Sequence, residues 1–143
     1  MTLPKIALCM IVKNESHIIH ECLESIYKYI NYWVISDTGS TDGTQDMIRN
    51  FFAEKGIPGE VYQSDWKGFG DHAGKIGSRT EAFQNAKGKA DYAWVIDADD
   101  SVNGEFKFPE NPTGDAYTLQ FARGEFSWWR TQIFKNDRDW KYI

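Results

Sequence analysis

Cysteine is scarce: the 143 residues hold only Cys9 and Cys22, both inside apolar segments. That number and spacing exclude a disulfide framework and a cysteine-based zinc site, and both side chains are expected to be reduced core thiols. A basic excess is also missing. The formal charge is -5, whereas a nonspecific nucleic-acid binder needs a basic face to displace counterions from phosphates, so no nucleic-acid partner is expected. The longest early apolar run, Ile6 to Val12, falls far short of the roughly 20 residues of a membrane-spanning helix. The polar residues after it do not resemble a signal-peptide cleavage region, and the expectation is a cytoplasmic protein without a transmembrane segment. Internal repeats, low-complexity tracts and interdomain linkers are lacking as well, so residues 1–143 read as one domain with a single core. Hydrophobic residues at 41% and charged residues at 26% have the balance of a soluble globular fold, not of a disordered chain.

What is present is an alternation of strand and helix patterns. Ile6-Ala7-Leu8-Cys9-Met10-Ile11-Val12 is continuously apolar, as expected of a central strand covered on both faces. Ile18, Cys22, Ile26 and Ile30 then recur every fourth residue with Ile19 and Leu23 beside them, which predicts an amphipathic helix from about Glu15 to Tyr29. Tyr32 to Ile35 predicts a second strand. The capping residues of Asp37 to Thr44 lead into a helix whose apolar face carries Met47, Ile48, Phe51 and Phe52. Glu60 to Gln63 reads as a short strand, Ser64 to Gly74 as a long loop with aromatic residues at Trp66 and Phe69, Lys75 to Asn85 as a helix, and Tyr92 to Ile96 as another buried strand. Farther on, Tyr117 to Phe121 and Ser127 to Phe134 read as strands, with a turn at Asn111-Pro112-Thr113-Gly114 between elements. The pattern predicts an α/β fold, a three-layer sandwich around a mainly parallel central sheet.

Ligands in such sheets bind beyond the carboxyl ends of the strands. Three polar clusters should meet there: Asn14-Glu15 after Val12, Asp37 after the second strand, and Asp97-Ala98-Asp99-Asp100 after Ile96. Two carboxylates at i and i+2 past a buried strand make a compact oxygen-rich site suited to Mg2+ or Mn2+, and the same acids would also serve as a polar turn. Asp37, an acceptor when ionised, suits a base-edge N–H or a helix cap. The planar fork of Arg79 suits a diphosphate or a base face. Lys75 offers a point charge to a phosphate or belongs to a solvated helix face. The first strand ends in Lys13-Asn14-Glu15-Ser16 instead of a glycine-rich phosphate loop, which counts against a dinucleotide-binding domain and a sugar-phosphate nucleotidyltransferase.

In this order and spacing, ALCMIVKNES, VISDTGSTDGT and SRTEAFQNAKGKADYAWVIDADD resemble the family-2 glycosyltransferases of the GT-A fold, over roughly the first 100 residues. The resemblance implies a donor nucleotide-binding region at 1–101 and a chain lacking part of the acceptor-binding half. It implies that Val12, Asn14, Glu15 and Asp37 lie around the nucleoside, with Arg79 and Lys75 near the base or diphosphate. Asp97 is then close to the ribose and shares the metal with Asp99, the main ligand, while Asp100 is a turn residue. The implied reaction moves a sugar from a nucleotide-diphosphate donor, UDP-sugar being common among relatives, to an acceptor hydroxyl of a glycan, protein or lipid. It depends on Mn2+ or Mg2+ and inverts the anomeric centre. A noncatalytic nucleotide-sugar-binding module is the alternative. Two departures stand out: Asp37 is followed by Thr38 where many members carry a second acid, and Arg79 is followed by Thr80 where many carry Asn. No catalytic base is assigned. Asp115, Glu125, Asp137 and Asp139 are carboxylates without a family context, and Trp128-Trp129 offer a sugar platform or a core pair.

Overall fold

A computed structural model describes residues 4–68, 77–104, 106–109, 112–123 and 125–137. The α-helices and strands among the described residues are, in chain order, β1 (Ile6–Val12), α1 (Ile19–Ile26), β2 (Tyr32–Asp37), α2 (Thr44–Lys55), β3 (Gly59–Gln63), α3 (Ser78–Ala86), β4 (Tyr92–Val95), β5 (Ala116–Arg123) and β6 (Phe126–Lys135). They form a six-stranded sheet in the order β3-β2-β1-β4-β6-β5. β1, β2, β3 and β4 run parallel, while β6 pairs antiparallel with both β4 and β5. The expected α/β class and mainly parallel sheet are present.

β1 and β4 occupy the middle of the sheet, and both are apolar at every position. Leu8, Met10 and Val12 join the larger core with Ile19, Leu23, Ile48 and Phe52 of α1 and α2. Cys9 turns the other way, and with Val34 it packs on Ala82 and Ala86 of α3. The small alanines bring α3 close to the sheet. Helices therefore cover both faces, α1 and α2 on one side and α3 on the other, which makes the three layers. Trp94 on β4 is buried in the larger core against Tyr29 and Phe106, so the segment after β4 folds back over the α1 side.

The element bounds differ from the sequence expectation where tertiary contacts compete with periodicity. The first helix begins at Ile19 instead of Glu15. Glu15 O accepts the amides of Ile18 and Ile19 at 3.0 and 2.8 Å, and Asn14 has a left-handed φ of 52°, so 14–18 is a tight turn. At the other end the helix tightens into a 3-10 turn at Tyr27–Tyr29. The third helix begins at Ser78. The expected helix start at Lys75 and the loop aromatic Phe69 lie outside the described residues. The two late strands run longer than expected, and their outer halves pair only with each other. β4 reaches β6 only at Ile133 to Lys135, which leaves Phe126 and Trp129 exposed on a protruding hairpin.

Candidate active site

Parallel register brings the polar clusters to one edge. Val12 is level with Asp37, and Cys9 with Val95; the amide of Ile96 donates to Cys9 O at 3.3 Å and carries the chain past β4 to Asp97. At this edge an open cleft of about 410 Å³ is lined by Ile11, Val12, Lys13, Thr38, Trp66, Arg79 and Asp97. It lies where the chain order reverses, since β2 and β4 flank β1 on opposite sides. Across it Arg79 Nη2 stands 3.8 Å from Asp97 Oδ1, with both side chains partly open to solvent. So separated and exposed an ion pair is weak, and either partner can exchange it for a ligand.

Asp97, Asp99 and Asp100 place ligand-capable oxygens within 4.8 Å of one another. Their turn is self-supporting: the Asp100 amide donates to Asp97 O at 3.0 Å, and Asp100 Oδ2 accepts the Asp97 amide at 3.3 Å. Burial pushes the Asp100 carboxyl above its usual range; the nearby Asp97 and Asp99 push the same way, against the Asp97 amide and Arg130. Three carboxylates this close repel unless a cation or a proton intervenes. Hard oxygen donors on a half-open turn fit Mg2+ or Mn2+, which bind one or two carboxylates and leave other positions to water and phosphate. Beneath the turn, Cys22 donates to Asp97 O at 3.6 Å. Its thiol is pushed up to about 12, mainly by burial and further by the three acids, which keeps it protonated as the donor of this hydrogen bond.

Asp37, Asn14 and Glu15 are also hydrogen-bonded at this edge. Asp37 is fully buried, and its Oδ1 accepts the amides of Gly39 and Ser40 at 2.8 and 2.7 Å. Burial raises its pKa, but these amides together with the Ser40 and Gln45 side chains outweigh that and hold it below the ordinary value. Thr38, not Asp37, lines the cleft. Asn14 and Glu15 knit the end of β1 to the start of α2 and the loop before it: Asn14 Oδ1 accepts the Thr41 amide at 2.8 Å, and the Glu15 amide donates to Thr44 Oγ1 at 3.0 Å. Ser16 joins through Asp42, which also caps Thr44. Lys75 lies outside the described residues, as does Asp139.

On the far side of the acidic turn a second cleft, about 500 Å³, is lined by Asp99, Asp100, Asn103, Phe121, Arg123 and Trp128 among others. Phe121 and Trp128 stack there with ring centroids 5.9 Å apart, whereas Trp129 does not line it. The three acids thus stand between a cleft that Asp97 enters and one that Asp99 and Asp100 enter.

Residues 7–110 match the family model Glycosyl transferase family 2. The chain belongs to this family. Among solved structures, S. aureus TarS 1-349 shares 24% identity at a TM-score of 0.53, over 69% of this chain and 28% of that one. At that identity the likeness concerns the fold, and this chain spans little more than a quarter of the length of that structure. No curated protein matches the sequence. Sequence patterns show Trp66 only as an aromatic in a long loop after the third strand, and the length of that loop is the signal that points to it.

Proposed function

We propose that this domain binds the nucleotide-diphosphate sugar donor of a metal-dependent, inverting glycosyltransferase that transfers to a hydroxyl of a glycan, protein or lipid, with UDP-sugar as the donor. The observation that carries the reading is the junction of Arg79 and Asp97, in one cleft, with three carboxylates whose oxygens lie within 4.8 Å. A cation at the hinge of two clefts suits a reaction in which diphosphate leaves one side and a sugar goes to the other. In this reading the nucleoside lies against Val12 and Thr38, Asp97 approaches the ribose, and Arg79 turns from Asp97 to the diphosphate, where its fork matches phosphate oxygens. Asp37, Asn14 and Glu15 act from behind, by holding the loop that presents Thr38. Asp99, the most open of the three acids, is the principal ligand of Mn2+ or Mg2+, and Asp97 shares it. When bound, the ion neutralises the charge that develops on the leaving diphosphate. Phe121 and Trp128 in the second cleft offer a face for a sugar ring. The unpaired, buried thiols of Cys9 and Cys22 favour a reducing, cytoplasmic setting.

Calorimetry of uridine diphosphate with and without manganese tests the proposal. Manganese is expected to tighten binding about tenfold or more, equivalent to roughly 1.4 kcal/mol, and Asp99→Ala to abolish that gain without changing the metal-free affinity. Equal affinities in both proteins, with and without metal, would remove the metal from the reading. Donor binding with no turnover in the full-length protein, over a range of acceptors, would instead mark a noncatalytic module.

A further inference from the structure

We propose that Trp66 is the wall on which the donor base stacks, an assignment that rests on the nucleotide reading of the same cleft. Five exposed large hydrophobic side chains occur among the described residues, and Trp66 alone of them lines the cleft that holds Arg79 and Asp97. It is 47% exposed, so nearly half of the residue's surface meets solvent. Single exposed aromatics are common and call for no explanation by themselves. This one differs in being built into position.

The residues on either side of it are tied to the two elements that frame the cleft. Before it, the Ser64 amide donates to Asp37 O at 2.8 Å at the end of β2, and the Ser64 hydroxyl donates to Glu81 of α3. After it, the Lys67 amide donates to Ser78 Oγ at 2.9 Å, and Gly68 O accepts the Ser78 amide at 2.8 Å. The Lys67 ammonium also pairs with Glu81. Glu81, held below its ordinary pKa by Lys67 and Ser64 against the opposing effect of burial, is ionised at neutral pH and anchors both flanks at once.

Such pinning fixes the backbone at Trp66 relative to Thr38, which follows β2, and to Arg79, in the first turn of α3. An aromatic side chain carried on a backbone held in advance loses less conformational freedom on binding than one on a loose loop, which is how preorganisation raises affinity. A volume of about 410 Å³ is within the range of small-molecule sites. The chemistry divides accordingly. Arg79 is the cation for phosphate, Asp97 the acceptor for hydroxyls, and Trp66 the aromatic surface, which every base can use because every base has a π-face.

Titration calorimetry of the wild type, Trp66→Ala and Trp66→Phe with uridine diphosphate and with inorganic pyrophosphate, all with manganese, tests this. Trp66→Ala should weaken uridine diphosphate about tenfold or more, in line with measured base–aromatic stacking, and leave pyrophosphate unchanged. Trp66→Phe should keep most of the affinity. Binding of uridine diphosphate to Trp66→Ala within about twofold of the wild type would overturn the assignment while leaving the nucleotide reading intact. An equal loss for pyrophosphate and nucleotide would overturn it too, since the residue would then be ordering Arg79. If the wild type binds pyrophosphate but gains nothing from the nucleoside, the nucleotide reading fails and the stacking wall with it.

Discussion

Burial, more than residue type, decides what each carboxylate at this edge can do. Asp37 ends β2 and Asp97 follows β4, yet Asp37 is buried with Oδ1 accepting two amides while Asp97 is half-open beside Arg79. A charge-assisted hydrogen bond contributes about 1.5–3 kcal/mol. Asp37→Ala is therefore expected to destabilise the fold by roughly that amount in urea denaturation, and Asp37→Asn by less, since an amide oxygen still accepts from Gly39 or Ser40. The pH dependence has a definite sign. Because the folded pKa of Asp37 is lowered, its contribution is fully present above the unfolded value near pH 4 and fades as pH falls through the folded value. The stability gap between wild type and Asp37→Asn should shrink on acidification, and a gap that grew would contradict the capping role. The sequence showed an acid at a strand end and left its target open between a base and a cap. It could not show solvent access, which only the folded chain decides by burying Asp37.

At the scale of elements, the apolar runs made the strands legible, because a strand buried on both faces must be apolar at every position. β1, β2 and β4 were readable for that reason. Helix starts were less legible: periodicity continues through Ile18, but the hydrogen bonds that join Asn14, Glu15 and Ser16 to Thr41, Thr44 and Asp42 hold residues 14–18 in a turn. The packing of β3 carries a sharp constraint that no periodicity reveals. A Cβ at Gly59 would lie 2.2 Å from the Trp33 ring. That ring cannot retreat, because it stacks on Phe52 with centroids 4.8 Å apart and its Nε1 donates to Ile57 O at 2.9 Å. Gly59→Ala should cost about 1–3 kcal/mol, the usual penalty of overpacking, read as a lower urea midpoint at unchanged slope. A midpoint equal to the wild type would mean that Trp33 has room to move.

For the molecule as a whole, the two clefts and the acidic turn between them behave as one device only if the sheet edge is intact. A ligand that binds the folded state alone raises its melting temperature by mass action. Uridine diphosphate with manganese should raise the melting temperature of the wild type more than either does separately, and the combined increment should disappear in Asp99→Ala. A thermal-shift series with uridine, cytidine, adenosine and guanosine diphosphates reads base preference in the same experiment. Metal and nucleotide increments that simply add in both proteins would argue against a shared site.

Strand and helix identity, the family and the acidic run after the fourth strand were determined by the sequence itself, since apolar periodicity and short motifs are local properties of the chain. The strand order, the hairpin that leaves Phe126 and Trp129 exposed, the sealing of Asp37 in favour of Thr38, and the meeting of Trp66 with Arg79 and Asp97 were decided only by the tertiary structure. The reason is physical. Trp66, Arg79 and Asp97 come from three different segments, and only parallel pairing of β1 with both β2 and β4, with α3 on the opposite face, brings their ends to one cleft.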